Sequence, residues 1–329
     1  MPRSSFAALV LFVFGPLLFI SACLADDDDA KPAAPVASPP PIQLATQPTS
    51  SNPTQPSPAD ENHYGLFGLL DHRSAIGTDF YPNPFLVNEG DVDRELSLNW
   101  VHQEGHHAVS DQVAAEVEWS FGQLTFALEG QYLRDYSDDR DSATGIKSRS
   151  REEGIGSPSI AARHPLWEWV SADGNIDNAI VPGIEVAFPS NSTVGRTTEV
   201  VPEVFDLLRI GDHFGLQTQV GYSTLFGGDP NNLKTLEYSA DFSYNFDAEQ
   251  LTLPKPIVAL TPILELAGER PLNRGEYNDN LTGVIGGRVE LESVGPLSPR
   301  LGVGYIFPID NGAREDFSWG VVVSFVFDL

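Results

Sequence analysis

Seven histidines, a single cysteine and a large excess of carboxylates are the residues of this 329-residue chain that could do chemistry. His102, Glu104, His106 and His107 sit close together and present three imidazoles and a carboxylate, donors able to hold a transition metal. Their spacing matches no specific motif, and a short solvated polar loop accounts for them more simply. No HExxH pair occurs. His102 and Ser110 are sequence neighbours, but no nucleophile elbow and no orienting third group accompanies them. The lone Cys23 excludes an intrachain disulfide and a cysteine-based zinc site. The sequence therefore offers no catalytic residue, no metal site and no cofactor motif.

The carboxylates are more informative, because many of them alternate with large apolar residues. In KTLEYSADFSYNF, residues 234–246, Leu236, Tyr238, Ala240, Phe242, Tyr244 and Phe246 share one face, while Glu237 and Asp241 lie on the other. A period of two is the strand signature. It recurs at 94–102, 112–120, 124–134, 214–225, 257–267, 281–293, 298–307 and 317–329. Weaker versions occupy 155–169, 178–188 and 198–210, so about twelve strands are predicted. Pro158, Pro182, Pro202 and Pro262 count against the interiors of four of them, because each removes a ladder donor.

The net charge of −27 would repel phosphates, which argues against a nucleic-acid partner. A mean hydropathy of −0.15 rules out a bundle of membrane helices, but strands that alternate average out and escape that test. Connections between the strands alternate long and short, from QEGHHAVSD and DYSDDRDSATGIKSRSREEG to FGQ and GD, with one exception near Pro254. Trp100, Tyr132, Phe188, Tyr222, Tyr238, Tyr305, Phe317 and Trp319 fall at one set of strand ends, and Trp119, Phe126, Trp167, Trp169, Tyr244, Phe246, Phe325 and Phe327 at the other. Sorted loops and two aromatic girdles predict an all-β fold, a membrane-spanning up-and-down antiparallel β-barrel of about 12 strands at residues 94–329. Its surroundings would be outer-membrane lipid, and barrel assembly machinery would insert it.

Residues 1–25 read as a signal peptide, with Arg3 before an apolar run from Phe6 to Ile20. Two cleavage readings stand: a cut before Asp26, or a lipobox-like Ile20-Ser21-Ala22-Cys23 that would make Cys23 a lipidation site. Residues 26–60 form a proline-rich linker unable to bury a core. Residues 61–93 are more apolar and read as a hatch-like or periplasmic segment, an edge segment under the barrel, or an extra strand pair.

The closing FSWGVVVSFVFDL resembles the assembly signal of bacterial outer-membrane barrels, with Leu329 where an aromatic residue ends the signal. FPSNSTVGRTTEVVPEVFDLLRIGDHFGLQTQVGYSTLFGG and LGVGYIFPIDNGARED resemble outer-membrane transporter-like proteins related to the phenol-degradation meta-pathway barrels. The resemblance spans residues 65–329 and carries no catalytic motif. It implies a passive or gated uptake channel for small, hydrophobic or aromatic solutes.

With apolar residues toward lipid, the alternate positions line the interior. These are Glu95, Glu116, Glu118, Glu129, Glu185, Glu237, Asp241, Glu265 and Glu290, with Arg163, Arg288 and Arg300. An acidic lumen would disfavour anions and admit cations or neutral small-molecule solutes. Two alternatives stand beside the channel: an outer-membrane barrel enzyme acting on lipids, and a structural or adhesive surface barrel. The same charged residues could also simply fill a closed interior.

Overall fold

The computed structural model describes residues 84–140, 147–190, 197–227, 233–273 and 279–329. The predicted leader with Cys23, the linker, and residues 61–83 of the following segment lie outside them. The chain divides into units at 1–55 and 56–329, and the described residues belong to the second.

Fifteen strand pieces make one antiparallel sheet that closes on itself. β1 (Arg94–Glu104), β2 (Ala108–Phe121) and β3 (Leu124–Arg140) are three successive traverses. β4 (Lys147–Ile155), β5 (Ser159–Arg163) and β6 (Trp167–Val170) together form the fourth. β7 (Ile176–Ala187), β8 (Thr198–Ile210), β9 (Phe214–Phe226) and β10 (Lys234–Tyr244) follow, with β11 (Phe246–Asp247) a short continuation of β10. β12 (Ile257–Pro271), β13 (Asn280–Leu291), β14 (Ser298–Pro308) and β15 (Trp319–Asp328) complete twelve traverses. β15 pairs with β1 from Glu95↔Asp328 to Glu104↔Trp319, so the ring has no free edge.

The fourth traverse is broken by proline. Pro158 and Pro165 fall in its two gaps, where a ladder donor is missing. Backbone bonds from Gly156 N to Gln131 O (2.9 Å) and from Leu166 N to Ile180 O (2.9 Å) carry the pairing past them. Pro182, Pro202 and Pro262 instead lie inside strands. Opposite β9 the ladder skips Val201 and Pro202 and resumes at Glu203↔Gly221, so one lost donor interrupts the pairing without shifting it.

Two sequence expectations need correction here. The first long loop shrinks to Gly105–His107, closed by Gly105 N to Ala108 O at 2.8 Å, because β1 and β2 each run on into it. His102 and Glu104 therefore belong to a strand. The long charged loop at 135–154 is likewise mostly the extended hairpin of β3 and β4, paired as far as Tyr136↔Arg151 and beyond. At the other end, Gly122 (φ 64) sits in the tight β2–β3 turn, a left-handed position that suits a residue without Cβ. In the β6–β7 turn the Ser171 hydroxyl, followed by the Asn175 amide, holds the solvent-exposed Asp173 carboxyl below its ordinary range.

The outer face carries a belt of exposed apolar side chains. Leu98 (45% exposed), Ile285 (58%) and Val303 (58%) sit mid-strand and are exposed, whereas Asp241, Glu265 and Ser324 on the opposite face are fully buried. In water such a belt would be costly; around a closed barrel it is the lipid-facing surface. A closed, even-stranded antiparallel barrel with this band is a protein of the outer membrane. Trp100, Tyr132, Phe188 and Tyr305 are exposed toward the β1–β2 turn end, and Trp119, Phe126, Trp169 and Phe325 toward the terminal end. Phe317 departs from the predicted girdle. The short helix Asn311–Asp316 turns the chain across the barrel mouth, and Phe317, at its C-terminal end, packs inward against Ile306, Ala313 and Val322.

The belt gives a direct test. Val303→Arg is expected to destabilise the folded barrel by about 2–4 kcal/mol, the cost of a cation at the bilayer midplane. Urea unfolding in phospholipid vesicles measures it; a cost near zero would mean that this face meets water.

Candidate functional site in the barrel interior

The inward face is set by register. Across neighbouring strands Glu95 opposes Glu118, and Glu116 opposes Glu129. Ala161 opposes Glu185, Asp241 opposes Glu265, and Arg288 opposes Gly302. All twelve charged positions singled out in the sequence fall on this inward alternation. Three arginines organise it. Arg163, 2% exposed, gives Nη1 to Glu118 Oε1 at 2.7 Å and Nε to Glu203 Oε1 at 3.4 Å, with its guanidinium 5.4 Å from the Phe205 ring. Arg300 Nη2 meets Glu95 Oε2 at 3.1 Å, Asp93 Oδ2 at 3.8 Å, and Asp328. Arg288 donates to Ser324 Oγ at 3.0 Å and to the Pro84 carbonyl at 2.7 Å.

That last contact reveals what occupies the barrel. Residues 84–93 run through the interior and are held by side chains from several strands. Glu265 accepts from the Phe85 and Leu86 amides at 2.8 and 3.1 Å. The Arg288 guanidinium lies 4.8 Å from the centre of the Phe85 ring. Gln217 takes the Gly90 amide at 2.9 Å and gives its own N–H to the Asn88 carbonyl at 2.8 Å. Asn88 reaches Glu185 at 2.8 Å. Near the terminal end, the Ser120 hydroxyl bonds the Asp93 carbonyl.

The Phe85 ring lies against glycines. A Cβ built on Gly302 would stand 2.7 Å from it and one on Gly286 3.0 Å from it. Two apolar clusters also face inward. One joins Val92, Ala179, Val181, Phe205 and Leu207; the other joins Phe85, Ile263, Val284, Ile306, Ala313, Phe317 and Val322. The lumen is thus polar and acidic with two apolar patches.

Space remains on both sides of Leu86–Asn88. A cavity of about 340 Å³ opens toward the mouth, lined by Gln103, Glu237, Glu269, Thr282 and Asp316. A second, of about 250 Å³, lies against β1, β2 and β3 and is lined by Ser97, Asn99, Gln112, Glu116 and Glu129. Each has more carboxylates than cations on its walls.

Sequence reasoning did not single out Glu203, Gln217, Gln219 or Ser324. Glu203 follows Pro202 in TEVVPEVFDLLRI, where apolar residues crowd both faces and hide the alternation. Gln217 and Gln219 share the inward period of FGLQTQVGYSTLF, a local signal that could have found them.

The histidines among the described residues converge on no centre. His102 Nδ1 lies 2.9 Å from Asp111 Oδ1, between the rings of Trp100 and Trp319, and among the described residues no hydroxyl hydrogen-bonds it. His213 sits at a terminal-end turn beside Gln250 and Tyr244. Among the described residues Asp93, Glu95 and Asp328 bring three carboxylates within metal-ligating reach of one another, but all three surround the Arg300 guanidinium.

No family model matches the chain, and no curated protein matches it. Among solved structures it is similar to an outer membrane channel from Pseudomonas putida F1, at 11% identity over 76% of this chain and 97% of that one, with a TM-score of 0.46. It is also similar to the NanC porin, at 11% identity over 71% and 98% of the two chains, TM-score 0.42. OprD of Pseudomonas aeruginosa is a further neighbour, at 8% identity over 76% and 98%, TM-score 0.30.

Proposed function

We propose that this barrel lets small solutes cross the outer membrane by passive or gated diffusion, and that it favours cations and neutral molecules over anions. The observation that carries the reading is what fills the lumen. The barrel's own side chains leave room for a ten-residue stretch, 84–93, and that stretch is held by hydrogen bonds, an ion pair and the packing of Phe85 and Val92 rather than by a strand pairing. A through-path lined by Glu116, Glu185, Glu237 and their neighbours would raise the local cation concentration and exclude anions.

Hydrophobic or aromatic solutes, which the resemblance to the phenol-degradation barrels implies, are a second class. The glycine-floored slot under Arg288 supports it, since a flat ring from a solute could take the place of Phe85.

Planar-bilayer recording tests the reading. The full chain, or a chain lacking residues 84–90, is expected to give discrete steps that prefer potassium over chloride. Glu237→Gln combined with Glu269→Gln should reduce that preference, because both carboxylates line the mouth cavity. Silence from both chains would overturn the proposal, and silence accompanied by hydrolysis of added phospholipid would favour a lipid-cleaving enzyme.

A further inference from the structure

One wall of the cavity against β1, β2 and β3 carries acceptors that lack donors, while Arg288, Gln103 and Gln112 also line the space. Ser97 is 4% exposed, lines the cavity, and its Oγ has no hydrogen-bond partner among the described residues. Asn99, two residues along the same inward row, lines it too, and its Oδ1 is buried without a partner among the described residues. Glu116 and Glu129 complete that wall. They stand directly opposite each other across β2 and β3, and Ser97 is the cross-strand neighbour of Glu116.

Two like charges facing across a ladder repel unless something positive lies between them. Among the described residues neither carboxylate has a hydrogen bond or an ion pair. The nearby guanidiniums make their bonds elsewhere: Arg163 through Nη1 to Glu118 and Nε to Glu203, Arg288 to Ser324 and the Pro84 carbonyl.

The chemistry of the missing partner follows. Carboxylate and amide oxygens only accept, and a serine hydroxyl can accept as well, so the partner must be rich in donors and positively charged. A bare metal ion fits poorly. It requires oxygens converging to within about 2.0–2.6 Å of one point, and among the described residues the carboxylate trio that converges closely is the one around Arg300. A volume of about 250 Å³ is also much larger than an ion needs, yet falls a little short of the ~300–1,000 Å³ typical of drug-sized ligands. Val101, Ala114 and Val326 supply apolar wall for a short hydrocarbon chain.

We propose that this cavity binds a small organic ammonium ion, its N–H groups shared among Glu116, Glu129, Asn99 and Ser97. The inference deepens the channel reading and rests on it for the site's biological role: the ammonium compound would be a solute held on its way through the lumen.

Equilibrium dialysis of the folded full-length barrel in detergent, with radiolabelled 1,4-diaminobutane as the probe, tests the site without relying on conductance. Saturable binding is expected, displaced by unlabelled amine but not by acetate. Binding should weaken at least about tenfold in Glu116→Gln/Glu129→Gln, the scale of losing charge-assisted hydrogen bonds. Asp173→Asn, in the solvent-exposed β6–β7 turn, should leave it unchanged. If heat-modifiable gel mobility shows that the double variant does not fold, Ala114→Leu replaces it, filling the cavity from β2 with the same expected loss. Absence of saturable binding, undiminished binding in the folded variants, or displacement by magnesium at equal concentration would each overturn the proposal. A barrel that binds the diamine but passes no current would keep this site and lose the channel. A conducting barrel that binds none would do the reverse.

Discussion

Replacing Arg163 with methionine is expected to cost the barrel about 3–5 kcal/mol of unfolding free energy, the scale of stripping one partner from a buried charge network. The arginine side chain is 1% exposed, and the carboxylates that it joins, Glu118 and Glu203, are 2% and 0% exposed. Methionine fills much of the same volume, so packing changes little. What changes is that two carboxylates across the lumen lose their common cation, and Glu203 keeps only the amide donors of Gln219 and Asn88. Urea unfolding in phospholipid vesicles, followed by tryptophan fluorescence, gives the number. A loss under about 1 kcal/mol would mean that this network is as well hydrated as a surface salt bridge. Adding Glu203→Gln to Arg163→Met should recover part of the loss, since the two residues touch and their effects are not additive.

That network also shows how far the sequence alone reaches. The strands and their facing were legible because lipid on one side and a polar lumen on the other force an alternation that no loop imitates. Arg163, Glu118 and Arg288 could therefore be placed inward from their neighbours alone. Glu203 could not, because Val200, Val201, Val204 and Phe205 make its strand apolar on both faces. The inward half of that excess, Val201 and Phe205, is buried in the lumen, with Phe205 packed against Val92 of the threaded segment. Phe317 was misplaced for a related reason. Its parity matches Trp319, but parity holds only within a strand, and β15 begins two residues later. The threaded segment was least legible. Phe85 and Glu265 are 180 positions apart, and a carboxylate that caps two distant amides leaves no local periodicity to read.

Glycines carry the other half of that hidden information, and they set up the second large effect. Gly302→Leu is expected to push residues 84–90 off the lumen wall and hold the barrel open. A Cβ at Gly302 would stand 2.7 Å from Phe85 Cε1 and 3.1 Å from Arg288 Cγ, so a leucine and the ring cannot both fit. The clash is with side chains that can move. At Gly286 it would be with the Val303 carbonyl and the Gly304 backbone, which would strain the sheet itself. Phe85→Ala approaches the same end from the opposite side. It removes the ring that packs with Ile263, Val284 and Ile306 and lies beside Arg288. Losing a buried phenylalanine costs about 3–5 kcal/mol, and charged wholly to the closed state this would raise the open-to-closed ratio at least about a hundredfold. Single-channel recording should therefore show both variants spending most of their time in a high-conductance state that the unaltered chain rarely visits. Their barrels should still migrate as folded species on unheated gels, because neither substitution touches the lipid face or a ladder hydrogen bond. If Gly302→Leu, Phe85→Ala and deletion of residues 84–90 all conduct like the unaltered chain, the threaded segment is no gate, and the solute path must run through the two cavities beside it.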